Sequence, residues 1–307
     1  MGEAEAVASA NMEAVEPVAG SSNIDWRELV RKCVLSPYFL PTLLISGALT
    51  VIFWNLLSSL YTLWTSDDGY YTHGFLVPLI SGYVIYKSYP RLKATPIRPA
   101  MWAAILLIPV LWLAYVARMA QMMSIFSVSF VLTLLVAALF LFGSKWAKIL
   151  AAPILYLLFA LPVWSGFVNN YTNPLQAIST KVAYKILDLF GTPYMSDYNK
   201  TDILFGSYWL NVGVPCSGLK LVLAITAFTC FFVLVGGLKW WGNLAMFALI
   251  IPLCLFINGL RIALIGMVGN AYGTQAGAQF HDYSGYITLI VCFFILFKIA
   301  RLLGWKD

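Results

Sequence analysis

The sequence predicts an all-α polytopic membrane protein with about eight transmembrane helices of roughly 20 residues each. Three features of the composition lead to this fold class. Of the 307 residues, 61% are hydrophobic and only 10% are charged, and the mean hydropathy is +0.82. Soluble proteins carry about 25% charged residues because their surfaces face water. The composition therefore excludes an ordinary soluble globular protein, since most side chains must face lipid or one another.

Apolar windows long enough to cross the bilayer define a transmembrane domain over residues 37–307. About 20 residues, rising 1.5 Å each, cross roughly 30 Å of hydrocarbon. Such windows cover residues 41–63, 74–89, 100–117, 122–142, 147–168, 216–236, 243–268 and 284–303. Residues 1–36 are predicted to form a cytoplasmic tail. Its first part, 1–25, is acidic and has too little apolar surface to fold, so we expect it to be disordered.

The distribution of Lys and Arg predicts that both termini lie in the cytoplasm. Positively charged residues beside membrane spans stay on the side that is not translocated. With the N-terminus inside, thirteen of the 19 Lys and Arg lie on the inner side. The outer side has only four, namely Arg118, Lys181, Lys185 and Lys200. The net charge of +6 therefore reflects membrane topology, and no nucleic-acid binding is expected.

One long outer segment, residues 169–215, precedes the sixth span. Apolar residues at three- and four-residue steps predict a helix over 174–190, namely Leu175, Ile178, Val182, Ile186 and Leu189. This helix either lies in the membrane interface or packs against the helix bundle. Residues 194–214 are rich in aromatic and β-branched residues and contain turn residues, so they predict a short hairpin or an extended lid.

Two ionisable side chains, Lys220 and Arg261, fall clearly within predicted spans. Such residues are energetically expensive in lipid and are candidates for a functional role. Arg261 lies about 26 Å along its helix from the start of the span, which predicts a position near the outer interface. It either extends its charge to that interface or is held inward by a broken helix, because Asn258 lies one turn earlier and Pro252 and Gly259 weaken the helix.

The five cysteines have no paired spacing, which argues against a disulfide framework and a zinc site. Four are interpreted as structural, namely Cys33, Cys230, Cys254 and Cys292. Cys216 differs because it lies between Pro215 and Ser217 at the outer start of the sixth span, where free N–H groups and the helix dipole favour a thiolate. Lys220 adds positive charge one turn later. The alternative is a structural cysteine, and no metal or cofactor is predicted.

The two histidines, His73 and His281, are both predicted on the outer side. His281 is expected in a loop just before the eighth span, beside Asp282, whose carboxylate is expected to face solvent. A nucleophilic thiol needs a group that handles protons, and a tetrahedral intermediate needs a donor for its oxyanion. Cys216, His281 and Arg261 supply these three chemical types on one membrane face. His73 is predicted either to bind substrate or to cap the second span.

Three short motifs resemble the exosortase and archaeosortase family. They are PCSGLK at 215–220, NGLRI at 258–262 and HDYSG at 281–285, in the family's order and at similar separations. Residues 71–81 are also similar to the family's early loop and second span. Pro215 stands where the family often has Ala. His281 stands where archaeal relatives use Arg, so the resemblance points to the bacterial branch.

The resemblance implies a membrane-embedded cysteine protease or transpeptidase. Its substrates would be membrane-anchored exported proteins with a C-terminal sorting signal, composed of a Pro-Glu-Pro motif, a transmembrane helix and a basic tail. Cys216 would form a thioacyl-enzyme intermediate, Arg261 would stabilise the oxyanion and His281 would protonate the leaving amine. The residues expected to bind the signal or support these groups are Asn258, Lys220, Ser217 and His73.

The resemblance also implies a place in the cell. Such proteins are associated with the export of extracellular matrix or polysaccharide in Gram-negative bacteria. We therefore expect the inner membrane, with the active site facing the periplasm. The implied partners are the signal segment and the lipid bilayer, whereas the acceptor and the oligomeric state stay open.

Two alternatives come from other functional classes. A secondary transporter would use Arg261 and Lys220 to bind an anionic solute near broken helices. It would need a site near the bilayer midplane, whereas these groups are predicted toward the outer face, and no inverted repeat is visible. A membrane acyltransferase would use Cys216 as an acyl carrier, but no site for an acyl donor is evident.

Overall fold

The structure is a computed structural model that describes residues 35–66, 70–196, 201–206, 208–213 and 216–305. The chain divides into two compact units, residues 1–44 and 45–307. Most of the predicted cytoplasmic tail, together with Cys33, Lys200 and Pro215, lies outside the described residues. The site and the packing discussed below belong to the second unit.

Helices form most of the described chain, in agreement with the predicted all-α class. They are α1 Phe39–Ile52, α2 Trp54–Thr65, α3 Leu76–Lys87, α4 Tyr89–Ala94, α5 Ala104–Met119, α6 Met123–Phe142, α7 Ser144–Tyr156, α8 Ser165–Leu189, α9 Leu219–Val235, α10 Trp240–Tyr272 and α11 Thr274–Leu302. Short 3-10 helices cover Thr72–Phe75, Met101–Ala103, Leu157–Phe159 and Pro162–Trp164.

Several of these helices are long and apolar enough to cross a membrane. Four qualify individually within the described chain, namely Met101–Met119, Met123–Phe142, α10 and α11. The count rises to six if each of two bent pairs forms one span, namely α1 with α2 and Ser144–Phe159 with Pro162–Leu189. The apolar α9 has 17 residues and α3 has 12. The polytopic membrane class is thus supported, and the count of eight and the N-in orientation stay predictions.

The fifth predicted span is not one continuous helix. The window 147–168 is interrupted at Leu161, whose extended backbone (φ −106, ψ 152) precedes Pro162. Proline disfavours the helical conformation in the residue before it, so the first helical segment stops there. A new 25-residue helix, α8, begins at Ser165 after a bend of 62° between the flanking segments. The helix predicted over 174–190 is confirmed as the larger part of α8.

The last pair of helices corrects one prediction and decides between two alternatives. His281 was expected in a loop, but α11 begins at Thr274 and includes it. Gly273, with φ +90, alone connects α10 to α11, and a left-handed residue at this point permits so tight a connection. Of the two alternatives for Arg261, the one that requires a broken helix is not observed, because α10 is one continuous 33-residue helix that contains Pro252.

A small antiparallel sheet covers part of α10. Its strands are β1 Met195–Ser196, β2 Asp202–Phe205 and β3 Tyr208–Asn211, in the order β1-β2-β3. The hairpin predicted over 194–214 is therefore confirmed, with β1 as an additional strand. Phe205 and Tyr208 pair across β2 and β3, and both are buried against glycines of α10, at Gly266 and Gly269. The absence of side chains at these glycines lets the sheet lie close to the helix.

Two hydrophobic clusters include residues on either side of the start of α9. The first joins α8, the sheet and the second half of α10, and it includes Cys216. The second joins α9, the first half of α10 and α11. The segment from Cys216 to Gly218 therefore leads from the sheet region into the packed helices, and it is held on several sides.

Candidate active site

Cys216 lies three residues before α9, in a loop that α10 holds in place. The side chain of Asn258 donates a hydrogen bond of 2.8 Å from Nδ2 to the backbone carbonyl of Cys216. Gly218, the N-cap of α9, has φ +80, and a Cβ at this position would lie 2.9 Å from Asn258 Nδ2. Both the left-handed backbone and the close approach of Asn258 thus require glycine here.

Ser217 contributes to the same loop through two hydrogen bonds. Its hydroxyl accepts one from the N–H of Leu219 at 3.3 Å, which partly caps α9. Its carbonyl accepts another, also at 3.3 Å, from Ser179 Oγ on α8. Ser217 is buried and therefore supports the loop rather than presenting its hydroxyl to solvent.

The thiol of Cys216 meets the imidazole of His281 from α11. Cys216 Sγ and His281 Nε2 lie 2.8 Å apart although 65 residues separate them in the chain. The other ring nitrogen, Nδ1, lies 3.3 Å from Oδ1 of Asp282, whose side chain is 78% exposed. The expectation of a solvent-facing Asp282 carboxylate is met, and the same carboxylate also contacts the imidazole.

Arg261 packs beside this pair and makes two hydrogen bonds to α11. Its Nε donates to Ser284 Oγ at 2.9 Å, and its Nη2 donates to the carbonyl of His281 at 3.0 Å. The Ser284 hydroxyl in turn donates to the same carbonyl at 3.1 Å. Within the described chain no atom accepts a hydrogen bond from Nη1 of Arg261, so this nitrogen remains available to a ligand.

Ser284 is a further residue of the site, which the sequence of the HDYSG motif does not distinguish from its neighbours. Its spacing of three residues from His281 would have indicated a shared helix face, had the segment been recognised as helical. Ser284 is 3% exposed, so its hydroxyl faces its protein partners alone.

Burial controls the acidity of the Cys216 thiol. Its removal from water raises the pKa of Cys216, and the positive charge of Arg261 opposes this rise without cancelling it. The thiol form is therefore favoured in the resting site, contrary to the expectation that the helix start favours a thiolate. The imidazole of His281 lies within hydrogen-bonding distance of this thiol.

A cavity of about 310 Å³ adjoins the Cys216–His281 pair. Its lining residues come from α9, α10, α11 and the turn before α3, namely Thr72, Gly218, Lys220, Leu221, Ala224, Asn258, Arg261, His281, Asp282, Gly285, Tyr286, Thr288 and Leu289. Lys220 and Arg261 bring two positive charges to this cavity. Among the described residues, neither forms a salt bridge with a carboxylate. The cavity is suited to a ligand that carries negative charge.

His73 occupies the 3-10 turn that leads into α3 and is buried. Burial lowers the pKa of His73 to about 4, and the positive charge of Lys220 also lowers it. A hydrogen bond to the Phe159 carbonyl raises this pKa but does not restore its usual value. The imidazole is therefore neutral at pH 7. The cavity is lined by its neighbour Thr72 rather than by His73. Within the described chain, His73 Nδ1 has no hydrogen-bond partner.

The remaining described cysteines lie away from this site as free thiols. Cys254 and Cys292 are buried and form a hydrogen bond with each other, and Cys230 is partly buried in α9. The described residues contain no group of three His, Cys, Asp or Glu side chains able to hold a metal ion.

Comparison with known proteins gives one match. No curated protein and no solved structure matches the chain. A family model described as transmembrane exosortase matches residues 64–298. This range covers well over half of the chain and includes Cys216, Arg261 and His281, as well as Thr72 and His73. The chain belongs to the transmembrane exosortase family.

Proposed function

We propose that the chain is a cysteine protease or transpeptidase that cleaves C-terminal Pro-Glu-Pro-type signals of membrane-anchored exported proteins. Membership of the exosortase family supports a membrane protease or transpeptidase role in general. The observation that carries the proposal is the 2.8 Å contact between Cys216 Sγ and His281 Nε2. A thiol beside a proton acceptor is the arrangement that nucleophilic catalysis requires.

The first step forms the acyl-enzyme. His281 Nε2 takes the proton of the Cys216 thiol while the sulfur attacks the carbonyl carbon of the scissile peptide. A C–S bond forms, and the carbonyl oxygen becomes an oxyanion. The Nη1 of Arg261 donates to this oxyanion, since its other edge is already held by α11.

The second step releases the membrane-anchored fragment. The protonated His281 gives its proton to the departing nitrogen, the C–N bond breaks and a thioester on Cys216 remains. The carboxylate of Asp282, close to His281 Nδ1, stabilises the imidazolium in the interval. Water or an acceptor amine then attacks the thioester, loses its proton to His281 and frees the Cys216 sulfur, which recovers that proton.

The lengths of α10 and α11 support a site at the membrane surface. About 20 residues span the hydrocarbon, so a span that starts at Trp240 ends near Gly259, just before Arg261. Counted back from Leu302 by the same length, the span in α11 ends near Tyr283, just after His281. With the N-in orientation that the Lys and Arg distribution predicts, this surface is the periplasmic face of the inner membrane. A cleavage site beside a substrate's own transmembrane helix would lie at the same level.

The cavity supports a role for Lys220 in binding the signal. Lys220 has no carboxylate partner among the described residues and faces the space next to the reacting atoms. A cation in such a position gains most from a substrate carboxylate, because water screens the pair poorly there. The Glu of a Pro-Glu-Pro motif would supply this group. Asn258 and Ser217 support the loop of Cys216, and His73 supports the wall that Thr72 forms.

The proposal is tested with an exported reporter that carries a Pro-Glu-Pro motif, a transmembrane helix and a basic tail. The reporter is expressed with the protein in a bacterium that has no exosortase of its own. Cys216→Ala is expected to abolish reporter cleavage, whereas Cys230→Ala, a control on α9, leaves it intact. Cleavage that continues in a well-expressed Cys216→Ala variant would exclude the thiol mechanism. No cleavage by the unaltered protein would count against this signal.

A further inference from the structure

Ser284 connects the two groups of the site that come from different helices. Its hydroxyl accepts a hydrogen bond from Arg261 Nε on α10 and donates one to the carbonyl of His281 on α11. The Arg261 Nη2 donates to that same carbonyl. Three hydrogen bonds therefore form a closed ring, and Ser284 takes part in two of them.

In this ring, Nε and Nη2 of the Arg261 guanidinium both donate hydrogen bonds, whereas Nη1 takes no part. In a planar guanidinium, Nε and Nη2 lie on one side, so both can donate to neighbouring acceptors at once. Ser284 and the His281 carbonyl occupy this side in the structure. Arg261 lines the cavity, and among the described residues its hydrogen bonds are made by Nε and Nη2, not by Nη1.

We propose that Ser284 is a positioning residue, whose hydroxyl fixes the Arg261 guanidinium so that its Nη1 faces the reacting carbonyl. The inference rests on the proposed function, because it assumes that Arg261 stabilises an oxyanion. Such stabilisation depends on a donor that is already oriented, so that no reorganisation is needed during the reaction.

Loss of this hydroxyl has a defined consequence. Ser284→Ala removes the acceptor of Arg261 Nε, and a largely buried donor without a partner is unfavourable. The long side chain then adopts other rotamers in which Nε finds an acceptor, and Nη1 moves away from the reacting carbonyl. A misplacement of about 1 Å can cost roughly 100-fold in rate.

Ser129 on α6 provides a matched control. It is buried, and its hydroxyl donates to the carbonyl three residues earlier, Phe126, at 2.7 Å. Ser284 makes the equivalent bond to His281 and in addition accepts from Arg261. Ser129→Ala therefore removes the same local bond within a helix but leaves Arg261 untouched.

A measurement that needs no substrate reports on the position of Arg261. The positive charge of Arg261 lowers the pKa of Cys216, so a displaced guanidinium would let that pKa rise. The other ionisable groups near the thiol are His281 and Asp282 on α11, Lys220 on α9 and Tyr208 on β3. These four are the same in every variant compared, so a difference between variants reports on Arg261.

The experiment measures alkylation of Cys216 by N-ethylmaleimide against pH, with the Cys216 peptide quantified by mass spectrometry. Cleavage of the same reporter is measured in parallel. Ser284→Ala is expected to move the midpoint of alkylation upward by about half a pH unit or more. It is also expected to slow cleavage about 10- to 100-fold. Ser284→Thr, which keeps a hydroxyl, and Ser129→Ala should leave both quantities close to those of the unaltered protein.

Ser284→Ala decides the outcome, provided that its melting temperature shows a folded protein. An unchanged alkylation midpoint, or an unchanged cleavage rate, would overturn the positioning role. A failure of the proposed function gives a different pattern, because either the unaltered protein would not cleave the reporter or Cys216→Ala would still cleave it, whatever Ser284 does. Loss of cleavage in Ser129→Ala as well would show that any buried hydroxyl has this effect and would also overturn the inference.

Discussion

The side chain of Asn258 donates a 2.8 Å hydrogen bond to the backbone carbonyl of Cys216. This bond ties the loop that carries the thiol to α10, one helical turn before Arg261. The positions of the thiol and the guanidinium are therefore set by the same helix. The site is held together by backbone contacts as well as by the contact between Cys216 and His281.

We expect Asn258→Ala to cost about 1–3 kcal/mol in stability, because the buried carbonyl of Cys216 loses its donor. Reporter cleavage should fall further than the loss of folded protein explains, since the thiol is no longer fixed. Melting temperature and cleavage rate are measured together. Asn243→Ala in the same helix is the control, because Asn243 Oδ1 has no partner among the described residues. Equal effects of both variants would contradict a specific role for Asn258.

Gly218→Ala should be more harmful than Gly237→Ala. Both glycines have positive φ, at +80 and +57. A Cβ at Gly218 would also press on Asn258 Nδ2, whereas nothing lies within 4 Å of one at Gly237. The strain common to both is about 1–2 kcal/mol, and only Gly218→Ala should also impair reporter cleavage. Similar cleavage by both variants would show that the contact with Asn258 is unimportant.

The stability of the protein should depend on the protonation of His73. Its pKa is lowered to about 4 in the folded state, from about 6.5 when unfolded. Because the folded state resists protonation, the stabilisation is complete above about pH 6.5 and is lost as the pH falls toward 4. The full loss amounts to about 3 kcal/mol. The difference in melting temperature between His73→Gln and the unaltered protein should therefore change between pH 7.5 and 5. A constant difference would contradict a lowered pKa of His73 in the folded state.

Lys220 should distinguish acidic signals from neutral ones. We expect Lys220→Gln to slow cleavage of a reporter with Pro-Glu-Pro about 10-fold, which corresponds to the loss of roughly one partly buried ion pair. The same variant should have little effect on a reporter with Pro-Gln-Pro, because the pair is already absent. Kinetics of both reporters with both enzymes form a double-mutant cycle. Additive effects would show that Lys220 does not contact the acidic residue.

His281 should govern the reactivity of Cys216 at neutral pH. Burial raises the pKa of Cys216, so a thiol without its proton acceptor should be a poor nucleophile. We expect His281→Ala to slow alkylation of Cys216 at pH 7 and to abolish cleavage, whereas His73→Gln should leave the alkylation rate unchanged. Equal alkylation rates in His281→Ala and the unaltered protein would contradict proton transfer between the two residues.

The residues of the site could be predicted from the sequence, whereas the bounds of the helices that carry them could be predicted only in part. Cys216, Arg261 and His281 stood out because polar residues are rare in so apolar a chain, and the structure brings all three together. The start of α11 was missed because residues 274–283 lack a continuous apolar pattern. Their helix is stabilised by contact with α10 and the sheet, for instance at Gly277, which packs against Tyr208. Such contacts between distant segments leave no periodic signal.

The acidity of Cys216 and the role of Ser284 depend on packing in the same way. The sequence indicated a helix start that favours a thiolate, but the sheet and the second half of α10 bury the thiol and raise its pKa. The contact of Ser284 with Arg261 requires the register of α11 against α10. Neither follows from local sequence spacing.

Trapping of the acyl group by hydroxylamine tests the central claim most directly. A thioester on Cys216 would transfer the reporter fragment to this small amine, and the cleaved reporter would end in a hydroxamate, which mass spectrometry detects. We predict hydroxamate in proportion to hydroxylamine for the unaltered protein, and no cleaved product for Cys216→Ala. A cleaved reporter that ends only in a carboxylate at every hydroxylamine concentration, or hydroxamate formed by Cys216→Ala, would contradict a thioacyl intermediate on Cys216.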